Sequence, residues 1–219
     1  MPSVKVAVEA GPKRTFAVAL DWPGWARAGK TEEDALAALA DYAQRYARVA
    51  GEPELADAGY EVVERLKGGS GTDFGVPSSF AKADQRPLKP ADAKRQERLL
   101  QAAWNAFDAS ARRAKGKELR LGPRGGGRSL EKMGSHVLEA EEAYLHQLGT
   151  KRPKAVDASL ESRMKRVRTA ALASLAAAAR GDDPPDPNQV RKRWSPRYFV
   201  RRSAWHALDH AWELEDRVL

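Results

Sequence analysis

The sequence predicts an α+β protein: a small βββαβ unit followed by an all-α four-helix bundle. Two patterns carry that expectation. Up to residue 67, short apolar runs alternate with polar residues and are broken by Gly and Pro, as in strands with tight turns. From residue 91 onward, apolar residues recur every three or four positions in four long stretches of roughly five to seven turns each. Between them lies "GGSGTDFGVPSSFAKADQRPLKP" (residues 68–90). Its Gly, Ser and Pro content marks a linker or a long wrapping loop, so the domain seam is placed there. The expected organisation is 1–67, an α+β domain; 68–90, a linker; and 91–219, a helical bundle.

Each element has a local cause. "VKVAVEA" (4–10) and "TFAVAL" (15–20) flank the turn "GPKR" and predict a hairpin. "DWPGWARAGKT" (21–31) leads into a helix and holds a short third strand; without that strand the unit reduces to ββαβ. Thr31 is placed to cap the helix, with Asp34 three residues on and Glu32 and Glu33 where the helix dipole favours acid. Ala35, Leu36, Leu39, Tyr42, Ala43 and Tyr46 then recur at helical spacing until Gly51 stops the run. "YEVVERL" (60–66) reads as the last strand of the unit.

The first bundle helix, "ADAKRQERLLQAAWNAFDASARRAKG" (91–116), carries the stripe Leu99, Leu100, Ala103, Trp104 and Phe107. The second, "SLEKMGSHVLEAEEAYLHQLG" (129–149), starts at a Ser129 cap and stops at Gly149. Its expected apolar arc is Leu130, Met133, Val137, Ala140, Tyr144 and Leu148. The third, "DASLESRMKRVRTAALASLAAAARG" (157–181), ends at Gly181 before "DDPPDPN". The fourth, "SPRYFVRRSAWHALDHAWELEDRVL" (195–219), has Ser195 as cap and Pro196 at the first helical position.

Composition narrows the functions. The 219 residues are 42% hydrophobic, enough for a core, and include no cysteine, which excludes disulfides, thiolate metal sites and a catalytic thiol. Lack of cysteine also fits a reducing compartment. The first thirty residues show no charged start followed by an apolar run, and the longest apolar stretch, "AALASLAAAA" (170–179), is too short to span a bilayer. A soluble, cytoplasmic protein without a membrane partner is expected. The net charge is +8, unevenly spread: residues 1–67 hold 9 Lys and Arg against 11 Asp and Glu, and the remainder 29 against 19. The excess sits in short runs such as "RRAKGK", "GPRGGGR", "KRPK" and "RKRW", with no aromatic RNA-binding motif and no recognisable helix-turn-helix. A basic surface is expected, and nucleic acid is not expected as a partner.

The chemistry-bearing residues are histidines. His206 and His210, four apart, share one face of the last helix with Phe199, Ser203 and Glu213, while Trp205, Leu208 and Trp212 form another arc. On the second bundle helix His136 lies at the edge of the apolar arc, and His146 falls nearly opposite, toward water. Three neutral imidazoles, His136, His206 and His210, would leave open positions on Zn²⁺, Ni²⁺, Fe²⁺ or Mn²⁺. The alternative is a hydrogen-bonded histidine pair at the mouth of a bundle. Two other motifs fall away. "GPRGGGRS" (122–129) has near phosphate-loop spacing but Arg128 in place of the lysine and no preceding strand, and no G-x-S-x-G elbow occurs.

Two resemblances follow from these residues. The hairpin and "DWPGWARAGKTEEDAL" resemble the N-terminal domain of HicB antitoxins, matching at Asp21, Pro23, Gly24, Thr31, Glu33 and Leu36, with Asp34 in place of the usual Ala. No adjoining toxin or DNA-binding segment is visible, so antitoxin function does not follow. "GSHVLEAEEAYLHQLG" and "RRSAWHALDHAWELEDR" resemble the DinB-like (YfiT-like) superfamily of metal-binding four-helix bundles over roughly residues 88–219. That resemblance implies a metal triad at His136, His206 and His210 and homodimers through bundle helices. It also implies a metal-dependent transferase or hydrolase acting on a small-molecule substrate. Better-understood relatives are mycothiol- and bacillithiol-dependent transferases and maleylpyruvate isomerase, so a small thiol is one implied cofactor and water the other nucleophile. Such chemistry needs an orienting acid or base, for which Glu213 stands three residues beyond His210; a solvated acid is the alternative. Arg201 and Arg202 are candidates to hold an anionic substrate or cofactor, against the plainer reading of surface arginines. The competing function is a non-catalytic regulatory module with a structural metal and a HicB-like recognition domain.

Overall fold

The computed structural model describes residues 3–121, 127–154, 159–182 and 193–219. Most of the glycine-rich stretch (122–126) and most of the proline-rich connection (183–192) lie outside the described residues. The chain divides into two compact units, Met1–Arg86 and Pro87–Leu219.

The first unit is α+β, built on a four-stranded mixed sheet of order β3-β2-β1-β4. β1 (Ser3–Ala10) and β2 (Thr15–Ala19) form the expected antiparallel hairpin, with Val6 opposite Ala19 and Ala10 opposite Thr15. β3 (Ala26–Gly29) adds antiparallel to β2, so the βββαβ order is realised rather than ββαβ. β4 (Gly59–Lys67) returns parallel to β1, as a crossover through helix requires.

The crossover begins where the capping signal placed it. Thr31 Oγ1 accepts from the Asp34 amide at 3.1 Å and Asp34 Oδ2 accepts from the Thr31 amide at 3.2 Å. The single expected helix is two: α1 (Glu32–Asp41) and α2 (Ala43–Ala50), broken at Tyr42 (φ −92°, ψ 0°). Trp25 ties the preceding turn to this pair. It is fully buried, its Nε1 donates to the Leu39 carbonyl at 2.9 Å, and its ring stacks on Tyr46 at 5.0 Å. The Tyr46 hydroxyl in turn donates to the Pro23 carbonyl at 2.9 Å.

The segment beyond residue 67 differs from a free linker. Residues 68–86 belong to the first unit, and the seam falls at Arg86/Pro87. α3 (Ser70–Phe74) and a 3₁₀ turn (Lys82–Gln85) lie in this strap. Its anchor is Glu9, buried in β1, whose carboxylate accepts from the Thr72 hydroxyl and from the Ser78 and Ser79 amides, both at 3.0 Å. A buried carboxylate must find donors, and the strap provides them.

The second unit holds four long helices: α4 (Pro90–Ala114), α5 (Leu130–Gln147), α6 (Leu160–Arg180) and α7 (Pro196–Arg217). They close a ring in the order α4, α7, α5, α6. α4 and α7 run parallel: Asp92 meets Arg197 near their starts, and Ser110 meets Glu215 near their ends. α5 and α6 run parallel to each other and antiparallel to that pair, since Arg168 reaches both Glu141 and Asp108, and Trp194 bonds Gln147. Ser129, Ser159 and Ser195 each accept the capping bond at the starts of α5, α6 and α7. No helix among the described residues is long and apolar enough to cross a membrane.

The buried face of α5 is rotated from the expected arc. Met133, Val137 and Leu148 are buried as expected, but Leu138, Glu141 and Leu145 replace Leu130, Ala140 and Tyr144, which are only half-buried. Glu141 is the reason: a charged residue reads as outward, yet here it is buried between α5 and α6 against Arg168. Arg168 serves two carboxylates, Glu141 and Asp108. Burial raises the Glu141 carboxyl to about 7, outweighing the shared guanidinium.

Candidate metal centre

α7 positions two of the histidines. Phe199, Ala204, Leu208 and Trp212 are buried along with Arg201, Arg202, His206 and His210, so this helix has almost no solvent face. A helix apolar on most sides is buried on most sides, and its polar residues then sit in a low-dielectric setting. α5, antiparallel to α7, brings in the third histidine. His136 on the first half of α5 meets the second half of α7, and at the far end Tyr144 packs on Trp194 at 5.1 Å.

His136, His206 and His210 converge. Each presents a ring nitrogen, and these three atoms lie within 4.8 Å of one another. His206 Nε2 and His136 Nε2 are 3.2 Å apart. The His206 and His210 ring centres are 4.6 Å apart, and His136 lies 5.1 and 5.0 Å from them. A tetrahedral ion with ~2.0–2.1 Å bonds to nitrogen spans about 3.3 Å between two ligand atoms. The His136–His206 pair already has that spacing, and His210 closes the set with a side-chain shift on the order of 1 Å. His146 lies outside the group and is half-buried on α5 rather than turned to water as its position on the wheel suggests.

The electrostatics favour the ligating form. Burial, then His210 and Arg202, hold the His206 pKa well below the ordinary imidazole value. Burial, then Arg128, lower that of His136. Both rings are therefore neutral near pH 7 and offer lone pairs.

Glu213 orients the third ring. Its Oε2 lies 3.0 Å from His210 Nδ1. That hydrogen bond is the leading cause of a Glu213 pKa below the usual carboxylate value, so Glu213 is ionised, accepts the Nδ1 proton and leaves Nε2 for a ligand bond. Glu213 Oε1 accepts from Arg217 Nη1 at 2.9 Å, and Arg217 Nε donates to the Arg120 carbonyl at 2.9 Å. The plainer reading of Glu213 as a solvated acid gives way to an acid held between two partners.

Arg201 and Arg202 are buried rather than on the surface, 5% and 8% exposed. The Arg201 guanidinium lies 5.0 Å from the Tyr198 ring centre; that of Arg202 lies 5.1 Å from Tyr144 and 4.6 Å from Trp205. Tyr144, half-buried on α5, meets His206 edge-on at 5.7 Å. Sequence reasoning missed Tyr144 and Arg217. Both stand at helical spacing from assigned residues, Tyr144 two turns beyond His136 and Arg217 one turn beyond Glu213. A separate cavity of about 690 Å³ lies between α4, α5 and α6, lined by Trp104, Phe107 and Leu160 among others, and no member of the triad lines it.

Comparison with protein-family models, curated proteins and solved structures gives no match to this chain.

Proposed function

We propose that the second unit is a DinB-like bundle whose His136, His206 and His210 hold one divalent ion, Zn²⁺, Ni²⁺, Fe²⁺ or Mn²⁺. On this reading the protein is a metal-dependent transferase or hydrolase acting on a small molecule. The convergence of the three ring nitrogens carries the reading. A set of three neutral nitrogens suits such an ion and leaves coordination positions open, as catalytic sites require. When bound, the ion supplies Lewis acidity that makes a thiol or a water acidic near neutral pH. The low-molecular-weight thiol is one such nucleophile, as in the thiol-dependent relatives named above.

The protein's own groups do the rest. Glu213 holds the Nδ1 proton of His210 and thereby its tautomer. Arg217 fixes Glu213 in turn, and Tyr144 walls the site beside His206. The first unit is a HicB-like recognition module, and the bundle helices pair two copies of the chain in a homodimer.

Cobalt titration tests the centre. Co²⁺ in a three-nitrogen site of low coordination gives a visible absorption band that saturates at one equivalent, and the band is lost in His210→Ala. Absence of any saturable band removes the metal reading. Assays for thiol transfer and for hydrolysis on the metal-loaded protein then separate enzyme from regulatory module, since turnover abolished in His136→Ala belongs only to the enzyme.

A further inference from the structure

Arg202 is a buried guanidinium with no carboxylate in ion-pair contact among the described residues; Asp209, two turns further along α7, acts on it only at longer range. Its Nη1 has no hydrogen-bond partner among the described residues. Buried Arg217, by contrast, is matched by Glu213 and the Arg120 carbonyl, and half-buried Arg168 by Asp108 and Glu141. The neighbours of Arg202 are the Tyr144 and Trp205 rings. Aromatic faces attract a cation but offer the in-plane Nη1 donors no acceptor. Burying such a charge unpaired is costly, and an anion that reaches it removes the cost.

The location gives this vacancy a use. The two rings that flank Arg202 also flank His206, Tyr144 at 5.7 Å and Trp205 at 6.3 Å between ring centres. Guanidinium and imidazole thus share both aromatic neighbours. The charged side chains that act on His206, beyond the other two histidines, are Arg202 and Arg128, and no carboxylate is among them. A divalent ion on the histidines would add further positive charge.

We propose that Arg202 is the anchor for a small carboxylic acid whose other end lies at His136, His206 and His210. This rests on the reading of the triad as the functional centre and names its substrate class. The planar fork of arginine matches a carboxylate, and one carboxylate supplies the single negative charge that one guanidinium requires.

The test uses full-length protein, zinc-loaded and metal-free, titrated calorimetrically with acetate, benzoate and succinate, each beside its amide, and with inorganic phosphate. Zinc stoichiometry and melting temperature are followed in wild type, Arg202→Met and Arg202→Lys. The expected result is saturable binding of at least one carboxylate, but not its amide, weakened tenfold or more in Arg202→Met with zinc stoichiometry unchanged. Arg202→Met is also expected to raise the melting temperature of the ligand-free protein, because it removes an unpaired buried charge, whereas a structural arginine would lower it. Carboxylate should raise the melting temperature of wild type and not of the Met variant. Carboxylate binding undiminished in Arg202→Met, no carboxylate binding at millimolar concentration, or tighter binding of phosphate overturns the assignment while leaving the metal reading intact. Failure to take up zinc overturns the metal reading instead, and Arg202-dependent carboxylate binding by the metal-free protein upholds the anchor.

Discussion

His136 and His206, seventy positions apart on antiparallel helices, face each other through their Nε2 atoms at 3.2 Å. Two ring nitrogens at that distance, one on buried His206 and one on half-buried His136, share either a proton or an ion. The proposed reading is an ion, because the His210 ring nitrogen lies within 4.8 Å of the other two.

The Glu213 contact predicts a measurable loss. Glu213→Gln removes the charge that holds the His210 Nδ1 proton while keeping the shape of the side chain. Metal affinity should fall by about 10–100-fold, read by competition with a chromophoric chelator, with the circular dichroism spectrum unchanged. Affinity equal to wild type would show that Glu213 does not orient the ligand.

Buried Glu141, held against Arg168 and near Asp108, predicts a pH dependence. The folded-state pKa of Glu141, about 7, lies above its ordinary value of 4.5. Between those values the folded chain binds the proton more tightly than the unfolded chain. Glu141 therefore contributes stability below about pH 4.5 that is lost as pH rises to about 7, with a slope of at most ~1.4 kcal/mol per pH unit. Glu141→Gln should flatten this part of the urea-denaturation profile. Arg168→Met, which strands the buried Glu141 carboxylate, should cost about 3–5 kcal/mol at pH 8.

Glu9 predicts a local unfolding. Glu9→Ala leaves the Ser78 and Ser79 amides and the Thr72 hydroxyl without their acceptor, at about 2 kcal/mol or more. The strap of residues 68–86 should then be cut by a protease under conditions in which wild type survives. Equal resistance would mean that other contacts hold the strap.

Much of this was legible in the sequence, and the failures have physical causes. The hairpin, the Thr31 cap and the four long helices follow from local signals: period, turn residues, capping residues. The direction of His206 and His210 follows as well, because four residues make about one turn. Which helix faces them does not, since periodicity says nothing of the antiparallel packing of α5 on α7. Gly, Ser and Pro marked residues 68–86 as irregular, but composition is silent about a Glu9 carboxylate sixty positions earlier. The break at Tyr42 has no Gly or Pro to announce it. The α5 arc was misjudged because Glu141 is buried against Arg168 on α6, which the wheel does not contain.

Metal content of tag-free protein by mass spectrometry, for wild type beside His206→Ala and His146→Ala, tests the central claim most directly. The account predicts close to one divalent ion per chain in wild type and in His146→Ala, and its loss in His206→Ala. Wild-type protein that stays metal-free after incubation with Zn²⁺, Ni²⁺, Fe²⁺ or Mn²⁺, or His206→Ala that retains the ion, would contradict it.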